Sequence, residues 1–205
     1  MKFKATFTFI AVLIPSLIFG TTANASNHID EQQKIWEDNF IQCVNQKQDI
    51  SIVVSVDTSG SMKKNPGEWL GSDNDGFRWE AINALFYQLQ QVAQSQESIL
   101  NLKINAIPFA TDIKPIEKLS SWNDLAKTNY TLEELKTYKD FFNEASGATN
   151  FIDAAKDANA RFNSVGNDTC KLWVFITDGS PSINGMPQDD KKIMEATQLL
   201  KNDGV

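Results

Sequence analysis

The chain is short of the side chains on which most proton-transfer and nucleophilic chemistry relies. Histidine occurs once in 205 residues, as His28, in a polar stretch outside every patterned segment. A Ser-His-Asp or Cys-His arrangement therefore lacks its base, and no GxSxG elbow is present. There is also no GxxxxGK[ST] loop to cradle a nucleotide. Basic residues are outnumbered 19 to 26, for a formal charge of −7, which argues against nucleic acid or an anionic lipid surface as the partner, since both reward a basic face. Cysteine is limited to Cys43 and Cys170. In an oxidising compartment the two can pair if the fold brings them together; otherwise they remain thiols. Long apolar runs are missing as well: Phe7 to Phe19 is broken by Pro15 and falls short of the roughly 20 residues of a spanning helix.

That N-terminal run has instead the three parts of a secretory signal. Lys2 and Lys4 form a basic start, Phe7 to Phe19 the apolar centre, and Ala23-Asn24-Ala25 a small-residue cleavage site, with the cut expected after Ala25. The expected location is secreted, periplasmic or at the cell surface. Without residues 1–25 the chain has 17 basic and 26 acidic residues, a formal charge of −9. Some 180 residues remain, enough for one domain with a sizeable core.

Residues 26–48 are polar with scattered apolar positions (Ile35, Trp36, Phe40, Ile41) and read as a lead-in segment with room for a short helix. Ile50 to Val56 is rich in Ile and Val and lacks the alternation of a half-wet strand, which predicts a central strand covered on both faces. A loop from Lys63 to Gly76 carries Pro66, Gly67, Gly71 and the acidic cluster Asp73-Asn74-Asp75. Trp79, Ile82, Leu85, Phe86, Leu89 and Val92 then have the spacing of one buried helix face. Leu100, Leu102, Ile104 and Ala106 alternate with Asn101, Lys103 and Asn105, a strand with unequal faces. Asp112 to Leu119 is expected as a short strand that Pro115 confines to an edge. Thr131 and Glu134 form a capping box ahead of a helix with Leu135, Tyr138 and Phe142. A second helix is expected from Asn150 to Phe162, a buried strand from Leu172 to Ile176, and a last helix from near Pro187 to Asn202. Strands alternating with helices imply an α/β fold: a doubly wound, Rossmann-like, mostly parallel sheet with helices on both faces and one antiparallel edge strand. Such a sheet binds ligands at the carboxyl ends of its strands, where Asp57 and Asp178 stand.

Asp57-Thr58-Ser59-Gly60-Ser61 puts a carboxylate and two hydroxyls on alternate residues as the chain leaves a buried strand. Alternate side chains can point to one side, and hard cations such as Mg²⁺ take about six oxygens. The string resembles the DxSxS motif of the von Willebrand factor A (vWA) family. Ser146-Gly147-Ala148-Thr149-Asn150 is similar to that family's GxTN-like element and points to Thr149. Thr177-Asp178-Gly179-Ser180-Pro181 resembles its TDG element and points to Asp178. The resemblance runs from about Ile50 to the C-terminus. It implies a metal-ion-dependent adhesion site (MIDAS) of Asp57, Ser59, Ser61, Thr149 and Asp178, holding Mg²⁺, with Ca²⁺ or Mn²⁺ as alternatives. It further implies a vWA-like domain over 49–205, and capture of a protein partner's Asp or Glu carboxylate through the cation.

Neutral hydroxyl ligands leave much of a cation's charge available, so an acidic protein can bind an acidic group through it. The expected class is therefore a binding module and not an enzyme, with a metal-stabilised assembly module of a larger secreted or pilus complex as the alternative and a hydrolase behind both. Family domains continue past a helix like 187–201 into further strands, so the resemblance also implies that this chain stops short of the fold, leaving Leu172–Ile176 as an edge and the chain less stable than a longer version. In a strand order of 3-2-1-4, Cys43 and Cys170 precede neighbouring strands, which makes a structural disulfide the expected pairing. Asp73-Asn74-Asp75-Gly76 is similar to the start of a calcium loop, but the twelfth position is Ala84 where an EF-hand needs glutamate; a solvated turn is the simpler reading. Trp69 would lie on the rim of the metal site or pack against the following helix. A dehalogenase-like DxD phosphoryl site fails because Ser59 stands where its second carboxylate belongs.

Overall fold

In a computed structural model, residues 23–62, 73, 76–95, 99–178, 182–183 and 186–202 are described. The basic start and apolar centre of the signal-like segment, Trp69 with most of its loop, and Gly179 to Pro181 lie outside them. The chain divides into two compact units, Met1–Asn39 and Phe40–Val205.

The elements run α1 (Ala23–Lys47), β1 (Asp49–Asp57), a 3₁₀ turn (Gly60–Met62), α2 (Phe77–Gln94), β2 (Asn101–Phe109), β3 (Asn123–Asp124), α3 (Leu132–Lys136), α4 (Lys139–Asn143), α5 (Phe151–Val165), β4 (Cys170–Ile176), β5 (Ser182–Ile183), β6 (Met186–Pro187) and α6 (Asp190–Asn202). Four strands form one sheet in the order β3-β2-β1-β4. β1 is parallel to β2 on one side and to β4 on the other, while β3 is the antiparallel edge. The fold is thus α/β with a mostly parallel sheet. Among the described residues no helix is long and apolar enough to cross a membrane.

Side chains alternate across a strand, and on β1 the alternation separates two cores. Ile50, Ile52, Val54 and Val56 pack with Trp79, Ile82 and Phe86 of α2 and with Leu135 and Phe142 of α3 and α4. Val53 faces the other way, with Ile107 of β2, Ala155, Ala158 and Phe162 of α5, and Ala196 and Leu200 of α6. Helices therefore cover both faces, and eight of the nine β1 residues are buried, as the unbroken apolar run requires.

Several elements depart from the sequence pattern for identifiable reasons. The lead-in is a 25-residue helix, longer than its scattered apolar residues suggest. Within it, Cys43 is disulfide-bonded to Cys170 at the start of β4, with Cα atoms 5.9 Å apart. The expected strand Asp112–Leu119 does not form. The Ser120 hydroxyl accepts a hydrogen bond from Ile116 N–H and donates to Ala106 O, closing the segment into a turn; Asn123–Asp124 takes the edge instead. The helix opened by Thr131 does start there, with Thr131 Oγ1 accepting from Glu134 N–H at 3.1 Å. It breaks into α3 and α4 where Thr137 Oγ1 bonds back to Glu134 O, a side-chain competitor for the helical ladder. Asn105, on the more polar of the two unequal faces of β2, is fully buried. β4 is half-buried over most of its length because, among the described residues, it pairs with β1 alone.

Candidate metal centre

The sheet register fixes the heart of the site. β1 ends at Asp57 opposite Phe109 of β2, and Val56 pairs with Ile176 of β4, so Thr177 emerges beside Asp57. Thr177 Oγ1 donates to Asp57 Oδ2 at 2.6 Å. Ser59 N–H donates to Asp57 Oδ1 at 2.7 Å, and the carboxylate thereby turns the chain sharply at the strand end. That turn brings the Ser59 and Ser61 hydroxyls to 3.0 Å from each other. Ser61 Oγ in turn donates to Asp178 Oδ1 at 3.0 Å. Four of the five residues picked from the sequence are thus linked in one run of short contacts across the carboxyl ends of β1 and β4. These two parallel strands flank the point where the strand order of the sheet reverses, the usual ligand position in such folds.

The fifth, Thr149, sits on the neighbouring loop and is buried. Two backbone bonds dock that loop onto the first, Ser146 N–H to Thr58 O at 2.9 Å and Gly60 N–H to Gly147 O at 3.0 Å, and a third, Asn150 N–H to Ala110 O at 3.0 Å, fastens it to the segment after β2. Gly147 has φ +80, and a Cβ there would meet Thr111 Oγ1 at 2.5 Å, so this close approach needs glycine. Asn150 caps α5 by accepting from Asp153 N–H and also accepts from Gln188 Nε2 at 2.8 Å. The Thr149 hydroxyl is not part of the run linking the other four; its position is set by this backbone framework.

The site is graded in depth. Asp57, Ser59 and Thr149 are buried, whereas Ser61 and Asp178 are exposed. Burial pushes the Asp57 carboxyl up from its ordinary value; hydrogen bonds from Thr177 and Ser59 oppose this, and the charge of Asp178 adds to it. A buried carboxylate with a second carboxylate nearby and hydroxyls around it is costly when its charge is uncompensated. The carboxylates of Asp57 and Asp178 and the hydroxyls of Ser59 and Ser61 are oxygen donors of the kind a hard divalent cation takes. The residues therefore fit such an ion. Among the described residues no three of His, Cys, Asp and Glu cluster in a way that could hold a metal, so any metal chemistry at this site rests on the hydroxyls as much as on the carboxylates.

Sequence reasoning missed two supports. Thr177 lies inside a string already singled out, and the strand register points to it. Arg78 carried no signal, because a cation in the first turn of a helix is ordinarily solvated; here it is buried. Its Nε donates to Phe142 O at 2.6 Å and its Nη1 lies 3.4 Å from Asp73 Oδ2. Burial lowers the Arg78 guanidinium from its ordinary range, while Asp73, Asp57 and Asp178 pull it back up. Asp73, read as part of a solvated turn, instead tethers α2: its carboxylate accepts from Phe77 N–H at 2.6 Å and Arg78 N–H at 3.1 Å.

No protein-family model matches the chain, and no curated protein matches it either.

Proposed function

We propose that this chain is a divalent-metal-dependent protein-binding module of the vWA type, with a MIDAS built from Asp57, Ser59, Ser61, Thr149 and Asp178. The observation that carries the reading is the run of contacts from Asp57 through Ser59 and Ser61 to Asp178, formed by the two strand ends that the motif resemblance singled out. When bound, an ion such as Mg²⁺, with Ca²⁺ or Mn²⁺ as alternatives, supplies a positive centre that attracts a carboxylate from another molecule. The protein's own residues do the rest. Asp57 orders the turn through Ser59 N–H, Thr177 holds the Asp57 carboxylate in place, and Gly147 lets the Thr149 loop approach. Exposed Ser61 and Asp178 form the side from which an acidic group of a partner arrives.

Binding is favoured over catalysis because the only histidine, His28, stands outside the motif-bearing segment. The Cys43–Cys170 disulfide supports a location in an oxidising compartment, consistent with the signal-like N-terminus. The test is capture of partners on immobilised protein from envelope or host-surface extracts. Retention is expected in Mg²⁺ and loss in EDTA, and Ser59→Ala should retain nothing specific in either. Hydrolytic activity surviving EDTA would favour an enzyme instead.

A further inference from the structure

Arg78 is a buried cation. Its side chain is 2% exposed and is fixed at two points, by Phe142 O and by Asp73. Asp73 is itself 9% exposed, and its backbone N–H donates to Met62 O at 3.0 Å. Met62 follows Ser61, whose hydroxyl bonds Asp178. The pair is thus anchored one residue from the candidate metal centre. Buried charge is retained only where it is compensated, and Arg78 carries one unit of positive charge against Asp73, Asp57 and Asp178, each of which interacts with it electrostatically.

We propose that Arg78 is a resident counter-cation: a positioning residue that offsets the carboxylate charge of the site and thereby sets how tightly a divalent ion is held. This rests on the metal-binding reading above and adds to it a determinant of affinity. A fixed positive charge in a low-dielectric wall raises the cost of bringing a second cation nearby. It also keeps Asp57 and Asp178 from repelling one another open when no ion is present. The site is therefore set for reversible occupancy and not for permanent sequestration.

The decisive experiment is calorimetric titration of Mg²⁺ into the protein and into the neutral variants Arg78→Met and Arg78→Gln, the latter keeping amide donors for Phe142 O and Asp73. Both variants are expected to bind Mg²⁺ about tenfold tighter than the parent, whereas Arg78→Lys, which keeps the charge, stays near it. A merely structural role predicts weaker binding on substitution, so the sign separates the two. Unchanged or weaker binding in a folded neutral variant overturns the proposal. If neither neutral variant folds, Asp73→Asn reads the same field in reverse: with Arg78 less compensated, binding should weaken about tenfold, and unchanged binding overturns the proposal. Absence of Mg²⁺ uptake by the parent protein overturns the metal reading and this inference together, while uptake by the parent with the wrong sign in the variants overturns only the role of Arg78.

Discussion

Asp57 is both the origin of the site and its largest local cost. Because burial raises its folded pKa above the ordinary 3.8, its contribution favours the folded state most at pH below that value and is lost as pH rises through the folded value. At neutral pH the ionised carboxylate therefore weakens the metal-free protein. Asn keeps the shape and both bonds, with Oδ1 accepting from Ser59 N–H and Nδ2 donating to the Thr177 hydroxyl. Asp57→Asn is accordingly expected to raise metal-free stability and to lose any stabilisation by Mg²⁺, both readable from denaturant unfolding with and without the ion. Asn105 is a second residue-scale cost: it is fully buried and both amide atoms lack partners among the described residues. Asn105→Leu, with the same number of side-chain heavy atoms and no polar group to desolvate, should add about 1–2 kcal/mol; a loss in urea unfolding would contradict this. The alternation of Asn101, Lys103 and Asn105 marked unequal faces but not their burial, because what packs over a strand is a tertiary fact that period-two patterning cannot register.

At the scale of elements, the site depends on three loop segments held by backbone bonds. Gly147 is the most constrained position among them, in left-handed conformation and against Thr111. Gly147→Ala is expected to cost about 1–3 kcal/mol and to weaken Mg²⁺ binding by displacing Thr149; Thr111→Ser, which leaves Oγ1 in place, should do neither. A Gly147→Ala protein with unaltered melting and Mg²⁺ affinity would show that the loop is not held as tightly as the contact implies. Strand β1, the capping role of Thr131 and the positions of Asp57 and Asp178 at strand ends were legible in the sequence, because apolar runs and capping boxes are local signals. The edge strand was expected at 112–119 and lies at Asn123–Asp124, because the Ser120 bonds that close the turn reach across to Ala106. The hairpin of β5 and β6 and the hold of Gln188 on Asn150 gave no pattern at all.

For the whole molecule, the Cys43–Cys170 bridge spans 127 residues of chain and fastens the end of α1 to the start of β4, the end of that strand opposite the candidate site. Closing so long a loop restricts the unfolded ensemble. Cys43→Ala with Cys170→Ala is expected to lower stability by about 2–4 kcal/mol without changing Mg²⁺ affinity beyond what residual unfolding explains. A change in affinity in the folded double variant would mean that the two ends of the sheet are coupled. The bridge was expected from an assumed strand order of 3-2-1-4, in which both cysteines precede neighbouring strands, together with an oxidising compartment. Arg78 was not, because its burial depends on α4 and on Asp73 closing over it.

The claim on which all of this depends is that Asp57, Ser59, Ser61, Thr149 and Asp178 hold one divalent ion. Calorimetric titration of MgCl₂ into EDTA-stripped, dialysed protein, beside Asp57→Ala and Thr149→Ala, tests it most directly. The expected result is a single saturable site in the parent, loss of the heat in Asp57→Ala, and at least about tenfold weaker binding in Thr149→Ala. Saturable binding that persists unchanged in both folded variants, or no binding in the parent, would contradict it.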